Sequence, residues 1–455
     1  MSNLRSLTTP PDLSAVAHER AVLVGERLSQ EALVAASVER AAAEARNPFE
    51  WGGASLGKGY TGVALLQLAL ARHPLGAQDD WLARAQGVLG GAVASTHTHP
   101  LTTTSLLLGS SGLALAVEEF RRYDERYAPS ARRLWQQVAE QVRGHNWPPR
   151  ERGYAATDYD VISGAAGVLG ALVSAPEALA EHPEAVDLLV RYLLEAVGGP
   201  EADLACRVPP ELFPLEEYRE QYPFGYYNTG LSHGIPGILS ALAAAHRAGC
   251  ETPGIRAALG RLAQRLLDWS TSDGFGPDWP AGIPLTEGGA ADPAAAVPTR
   301  TAWCYGTPGV AVALFQAGTA LGDGTLRSAA ADAHRAAVAR ALDAPGALSS
   351  PTLCHGTAGL LCTAAFFAEQ TEQNDGGPGD GGRDDDGRDD VHRLTERLLT
   401  QCDPEHPLVV RDEESTGNFV DDPSFLTGAA GVGLALLTAA GGGRQLWWNG
   451  LMLHG

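Results

Sequence analysis

Long apolar, alanine-rich stretches recur along the chain, each opened by a Gly-x-x-Gly. The pairs are Gly59/Gly62, Gly109/Gly112, Gly164/Gly167, Gly234/Gly237, Gly306/Gly309, Gly356/Gly359 and Gly428/Gly431, with successive first glycines 50, 55, 70, 72, 50 and 72 residues apart. Stretches 63–73, 113–123, 238–249 and 310–321 are apolar around most of a helical circumference, the mark of helices buried on nearly all sides. Between them, stretches 81–95, 131–145, 255–267 and 326–342 confine their charges to one face and predict outer helices. A helical hairpin of this kind leaves an apolar flank that only its neighbours can cover. The predicted fold is therefore all-α: an α/α toroid of seven inner and seven outer helices with a small insertion, one domain across residues 1–455.

Two segments break the helical pattern. Residues 198–230 are rich in proline and aromatics (Pro209, Pro210, Phe213, Pro214, Tyr218, Tyr222, Phe224, Tyr226, Tyr227), which predicts an ordered insertion between the third and fourth repeats. Residues 374–390, with GGPGDGG and RDDDGRDD, have almost nothing to bury and predict a disordered acidic Gly/Asp surface loop.

Charge narrows the functional classes. Lys plus Arg number 33 against 54 Asp plus Glu, a formal charge of −21, so nucleic acid is excluded as a partner of the chain as a whole. The N-terminal residues show no apolar core after a basic start, and no uninterrupted apolar run is long enough to span a bilayer; a soluble, cytoplasmic protein without a transmembrane segment is expected. Six sparse cysteines (Cys206, Cys250, Cys304, Cys354, Cys362, Cys402) fit free thiols or metal ligands better than a disulfide framework.

By itself Gly-x-x-Gly argues architecture, because it lets a loop turn tightly and a helix approach its neighbour. The residues just before the first glycine add chemistry in repeats three to six: Asp160 in YDVISG, His233 in LSHGIPG, Cys304 in RTAWCYGTPG, and Cys354 with His355 in LCHGTAG. The matching places in repeats one, two and seven hold Lys58, Leu108 and Thr427. If every repeat enters its inner helix at the same end, these side chains gather at one mouth of the ring.

These segments resemble the lanthionine synthetase C-like family, the cyclases of lantibiotic biosynthesis. The resemblance spans the chain and rests on WCYG-x-PG, CHG-x-x-G and the upstream HG-x-PG. It implies an α/α toroid, one Zn2+ per chain held by Cys304, Cys354 and His355, and catalytic roles for Asp160, His233 and Arg300. It implies a zinc-dependent lanthipeptide cyclase, which adds Cys thiols across dehydroalanine or dehydrobutyrine in a dehydrated precursor peptide to form (methyl)lanthionine rings. The implied partners are that precursor and a separate dehydratase, since the toroid uses the whole chain and no glycine-rich phosphate loop with its lysine is present. The resemblance leaves open peripheral association with a modification or export complex.

The chemistry agrees with that set. Three protein ligands leave a fourth zinc position open, as in catalytic sites, and coordination favours the thiolate. His233 suits acid or base work near its ordinary pKa of about 6.5, and Arg300 suits stabilisation of a developing oxyanion. For Asp160 three roles stay open: orienting His233, tuning it, or assisting thiol deprotonation. Cys206, Cys250, Cys362 and Cys402 read as packing residues, and Trp303 and Tyr305 as cavity wall. A glycoside hydrolase would need two facing carboxylates, and in a cysteine protease adjacent Cys354 and His355 would be poorly placed as nucleophile and base. The remaining alternative is a zinc-containing, non-catalytic peptide-binding scaffold or a glutathione-binding member of the same family.

Overall fold

The computed structural model of the protein describes residues 12–455 other than 48–49, 77, 149–152, 200–202, 345–347 and 375–385. Among the described residues the seven inner helices are Tyr60–Arg72, Ser110–Tyr123, Ala165–Val173, Ile235–Arg247, Thr307–Leu321, Thr357–Asn374 and Ala429–Ala439. Six are followed by the outer helix that packs on them: Gln78–Ser95, Ala128–Gly144, Pro183–Val197, Ile255–Asp268, Gly324–Asp343 and Asp386–Thr400. The seventh takes its outer partner from the other end of the chain. Leu13–Leu28 packs on Ala429–Ala439, and Ser14 Oγ donates to the Ala440 carbonyl at 3.0 Å. The fold is an α/α toroid, closed by that pairing.

Residue pattern accounts for the two layers. In Tyr60–Arg72 every residue from 61 to 71 is buried, while Ile255–Asp268 buries Ile255, Ala258, Leu259, Leu262, Ala263 and Leu266, one stripe at helical spacing. The second glycine of each pair explains how tightly the repeats meet. A methyl group at Gly62, Gly112, Gly167, Gly237, Gly309, Gly359 or Gly431 would lie 2.5–3.1 Å from a side chain of the adjacent repeat, respectively Phe425, Leu56, Leu106, Val161, Leu231, Trp303 and Leu353. Among the first glycines Gly306 is distinct, with φ of 90°, where a side chain would be strained in addition to crowding the Arg300 carbonyl.

The bore of the ring is filled from one end. A 3₁₀ turn, Leu446–Leu451, carries buried Trp447 and Trp448 against the second and third inner helices. Its end and the residue that follows are hydrogen-bonded to the core: Trp303 Nε1 donates to the Leu451 carbonyl at 2.8 Å and Gln316 Nε2 to that of Met452 at 2.7 Å.

Within 198–230, the described residues form short helical turns at Pro210–Leu212 and Tyr218–Gln221 and the strand Tyr226–Asn228, which pairs antiparallel with Gly282–Pro284. Tyr222 stacks on Tyr226, ring centroids 4.4 Å apart. The acidic loop expected at 374–390 falls largely outside the described residues, and its far end differs from expectation. Residues 386–390 open the helix Asp386–Thr400. Among the described residues no helix is long and apolar enough to cross a membrane.

Candidate active site

The seven loops that lead into the inner helices are joined edge to edge by backbone hydrogen bonds. Gly57 N donates to Leu107 O, Leu107 N to Ile162 O, Val161 N to Ser232 O, Ser232 N to Cys304 O, Cys304 N to Cys354 O, Cys354 N to Leu426 O, and Leu426 N to Gly57 O, at 2.7–3.3 Å. This closed circuit puts the residues just before each first glycine at one mouth of the toroid. Five of the six residues singled out from the sequence lie on it or beside it: Asp160, His233, Cys304, Cys354 and His355.

Asp160 occupies a place that serine holds in the first two repeats. There Ser55 Oγ accepts from Lys58 N at 3.1 Å and Ser105 Oγ from Leu108 N at 3.0 Å, tying each loop before its glycine. Asp160 does the same with Oδ1, which accepts from Ser163 N at 2.7 Å and Gly164 N at 2.8 Å. Its Oδ2 is free for a second task. It accepts from His233 Nδ1 at 2.5 Å, across the loop junction. A fully buried carboxylate needs such partners. Burial lowers the pKa of His233, but the hydrogen bond and charge of Asp160, with the charge of Cys304, outweigh it and raise the imidazole above its ordinary value. The carboxylate takes Nδ1 and leaves Nε2 as the nitrogen available to a substrate.

Next along the circuit, the Cys304 and Cys354 thiols hydrogen-bond to each other. Of this tightly coupled pair Cys304 is the one whose pKa is lowered: the Cys354 hydrogen bond lowers it against burial, helped by His355, Arg300 and His233. Cys354 is correspondingly pushed up. His355 Nε2 donates to Asp412 Oδ1 at 2.8 Å, which raises the imidazole pKa although burial opposes it. Arg300 is exposed, at the edge of the group, with its charge felt by both thiols and His355. Cys206, Cys362 and Cys402 are buried thiols whose pKa values burial pushes well above the ordinary range, and burial also raises that of the partly buried Cys250. Trp303 is buried against the carbonyl of Leu451, while Tyr305 is partly exposed beside His233, ring centroids 6.3 Å apart.

Residues 50–453 match the family described as lanthionine synthetase C-like protein. The chain belongs to this family. It is 26% identical over 331 residues, 70% of this chain and 75% of the relative, to the nisin biosynthesis protein NisC of Lactococcus lactis subsp. lactis. Among solved structures it is similar to nisin cyclase, with a TM-score of 0.70 and 22% identity, covering 93% of this chain and 96% of the other. That likeness carries the toroid fold.

As a lanthionine synthetase C-like protein, the chain holds one site residue that its motifs did not reveal. Asp412 opens the strand Asp412–Ser415, and its contact with His355 bridges 57 positions of sequence. It begins an acidic run, Asp412, Glu413 and Glu414, in which no local spacing marks the first member. Lys58 and Thr427, at the matching places of repeats one and seven, are tied to Asp422 by an ion pair at 3.8 Å and a hydrogen bond at 2.6 Å.

Proposed function

We propose that the protein is a zinc-dependent lanthipeptide cyclase that closes (methyl)lanthionine rings in a dehydrated precursor peptide. The observation that carries the reading is the meeting, on one circuit of loops, of a thiol pair beside an imidazole with a second imidazole held by a buried carboxylate. Membership of the family and the likeness to nisin cyclase support the reaction class.

The donor set fits zinc. Two thiols already in contact, one biased toward thiolate, and an imidazole with one nitrogen engaged by a carboxylate are the ligand types of an open zinc site. Among the described residues no three His, Cys, Asp or Glu side chains are drawn together as a metal cage, and His355 would contribute the ring nitrogen that Asp412 does not engage. Cys304, Cys354 and His355 would hold the zinc, whose positive charge would favour the deprotonated form of an incoming thiol at neutral pH.

The reaction forms one bond, from the cysteine sulfur to Cβ of the dehydro residue. The thiol loses a proton and Cα gains one, so the mass of the peptide is unchanged. His233 is suited to move that proton, because Asp160 fixes its Nδ1–H and leaves Nε2 to accept or donate. Arg300 supplies fixed positive charge for the carbonyl oxygen on which negative charge develops. A separate dehydratase makes the substrate. The six cysteines are all free, in keeping with a reducing cytoplasm.

Thiol alkylation tests the proposal, since each ring closed removes one free thiol. Dehydrated precursor incubated with the protein should take up fewer alkyl groups than untreated peptide, chelator should restore full uptake, and added zinc should reverse that. If wild type and Cys304→Ala give the same time course, the cyclase reading fails and a non-catalytic peptide-binding scaffold takes its place.

A further inference from the structure

We propose that Asp412 is a positioning residue for the metal site: its carboxylate fixes the tautomer of His355 so that Nδ1 is the nitrogen left to bind a metal. The inference rests on the zinc reading above. Its starting point is the hydrogen bond from His355 Nε2 to Asp412 Oδ1, 2.8 Å long, between side chains with 11% and 4% of their surface exposed. An ionised carboxylate only accepts hydrogen bonds, so the proton of the neutral imidazole must sit on Nε2. Nδ1 then carries the lone pair. Histidines that bind metals commonly donate their other ring N–H to a carboxylate, which fixes ring orientation and raises ligand basicity.

The carboxylate is itself held in place. The same Oδ1 accepts from Ser350 Oγ at 2.8 Å and Thr352 Oγ1 at 3.4 Å, both from the loop that carries Cys354 and His355. From the other side, the hairpin pairs Asp412 with Val420. The rival explanation is that Asp412 merely ties this hairpin to the loop. Hairpin anchorage has another fastening, however: Glu414 accepts from Arg46 N at 3.0 Å and from Asn47 N at 2.6 Å, away from His355. The two roles can therefore be separated.

The deciding measurement is zinc affinity of the purified full-length protein, by competition with a chromophoric chelator. Asp412→Asn keeps an acceptor for Ser350 and Thr352 but removes the charge, and should weaken zinc binding about 10-fold; Asp412→Ala should approach about 100-fold. Glu414→Ala, which loosens the hairpin alone, should bind zinc as wild type does. In a His355→Ala background, Asp412→Asn should add nothing, because the effect passes through that imidazole. Nitrogen-15 NMR of the metal-free wild type should find His355 protonated on Nε2. A wild type that binds no zinc ends the zinc reading and this inference with it. A zinc-binding wild type overturns the role of Asp412 alone if Asp412→Asn binds as tightly, if Glu414→Ala weakens binding equally, or if the His355 proton is on Nδ1.

Discussion

Replacing Asp160 by asparagine separates the structural from the chemical work of this carboxylate. The native side chain holds three donors: the amides of Ser163 and Gly164 at 2.7 and 2.8 Å, and His233 Nδ1 at 2.5 Å. An asparagine with its oxygen toward the two amides keeps the turn, and with it the loop circuit. Its NH2 then faces Nδ1, which can no longer donate. The neutral imidazole must carry its proton on Nε2, so the lone pair meant for the substrate is lost. Loss of the neighbouring charge and of its hydrogen bond also leaves Cys304 alone to oppose burial, so the His233 pKa drops from its raised value. Both changes remove acid–base catalysis, a loss of about 10²–10⁴-fold in cyclisation rate, or about 3–5 kcal/mol in the barrier. The cost to folding is smaller, about 1–3 kcal/mol for weakened hydrogen bonds to a charged group. Alkylation time courses on the dehydrated precursor measure the rate, while thermal melting and metal content verify the fold and the zinc site. Near-wild-type cyclisation by Asp160→Asn would refute the argument that Asp160 acts through the tautomer of His233.

Three further outcomes are expected. Cys354→Ala or His355→Ala should lose most bound zinc, measured by atomic absorption, with helical circular dichroism unchanged. Gly309→Ala should lower stability by about 1–3 kcal/mol in thermal melts, because the added methyl meets Leu231 Cβ at 2.6 Å as well as the Trp303 carbonyl. The stability gap between wild type and His233→Asn should depend on pH. His233 has a folded pKa above its ordinary value, so its contribution is fully present below about pH 6.5 and lost as pH rises through the folded value. Chemical denaturation should show a wider gap near pH 5 than near pH 9.

The repeat itself was legible in the chain, because its signal is local. Each second glycine answers to one neighbouring side chain, and each apolar stretch to burial on all sides, so spacing and periodicity suffice for seven inner helices and a ring. The same locality marks Asp160, His233, Cys304, Cys354 and His355, all directly before a first glycine or within four residues of it. What the chain could not disclose depends on partners remote in sequence. That Leu13–Leu28 supplies the seventh outer helix follows from ring closure, a contact between segments about 400 residues apart. The circuit of backbone hydrogen bonds exists only once seven loops are side by side. Among the three roles open for Asp160, orientation of His233 is favoured by a hydrogen bond between residues 73 positions apart. Asp412 is the sharpest case, indistinguishable in its acidic run from Glu413 and Glu414 until folding buries it against His355. Local pattern encodes helices and turns because burial and backbone geometry act over a few residues; which two side chains share a proton is settled by packing, which no local pattern records.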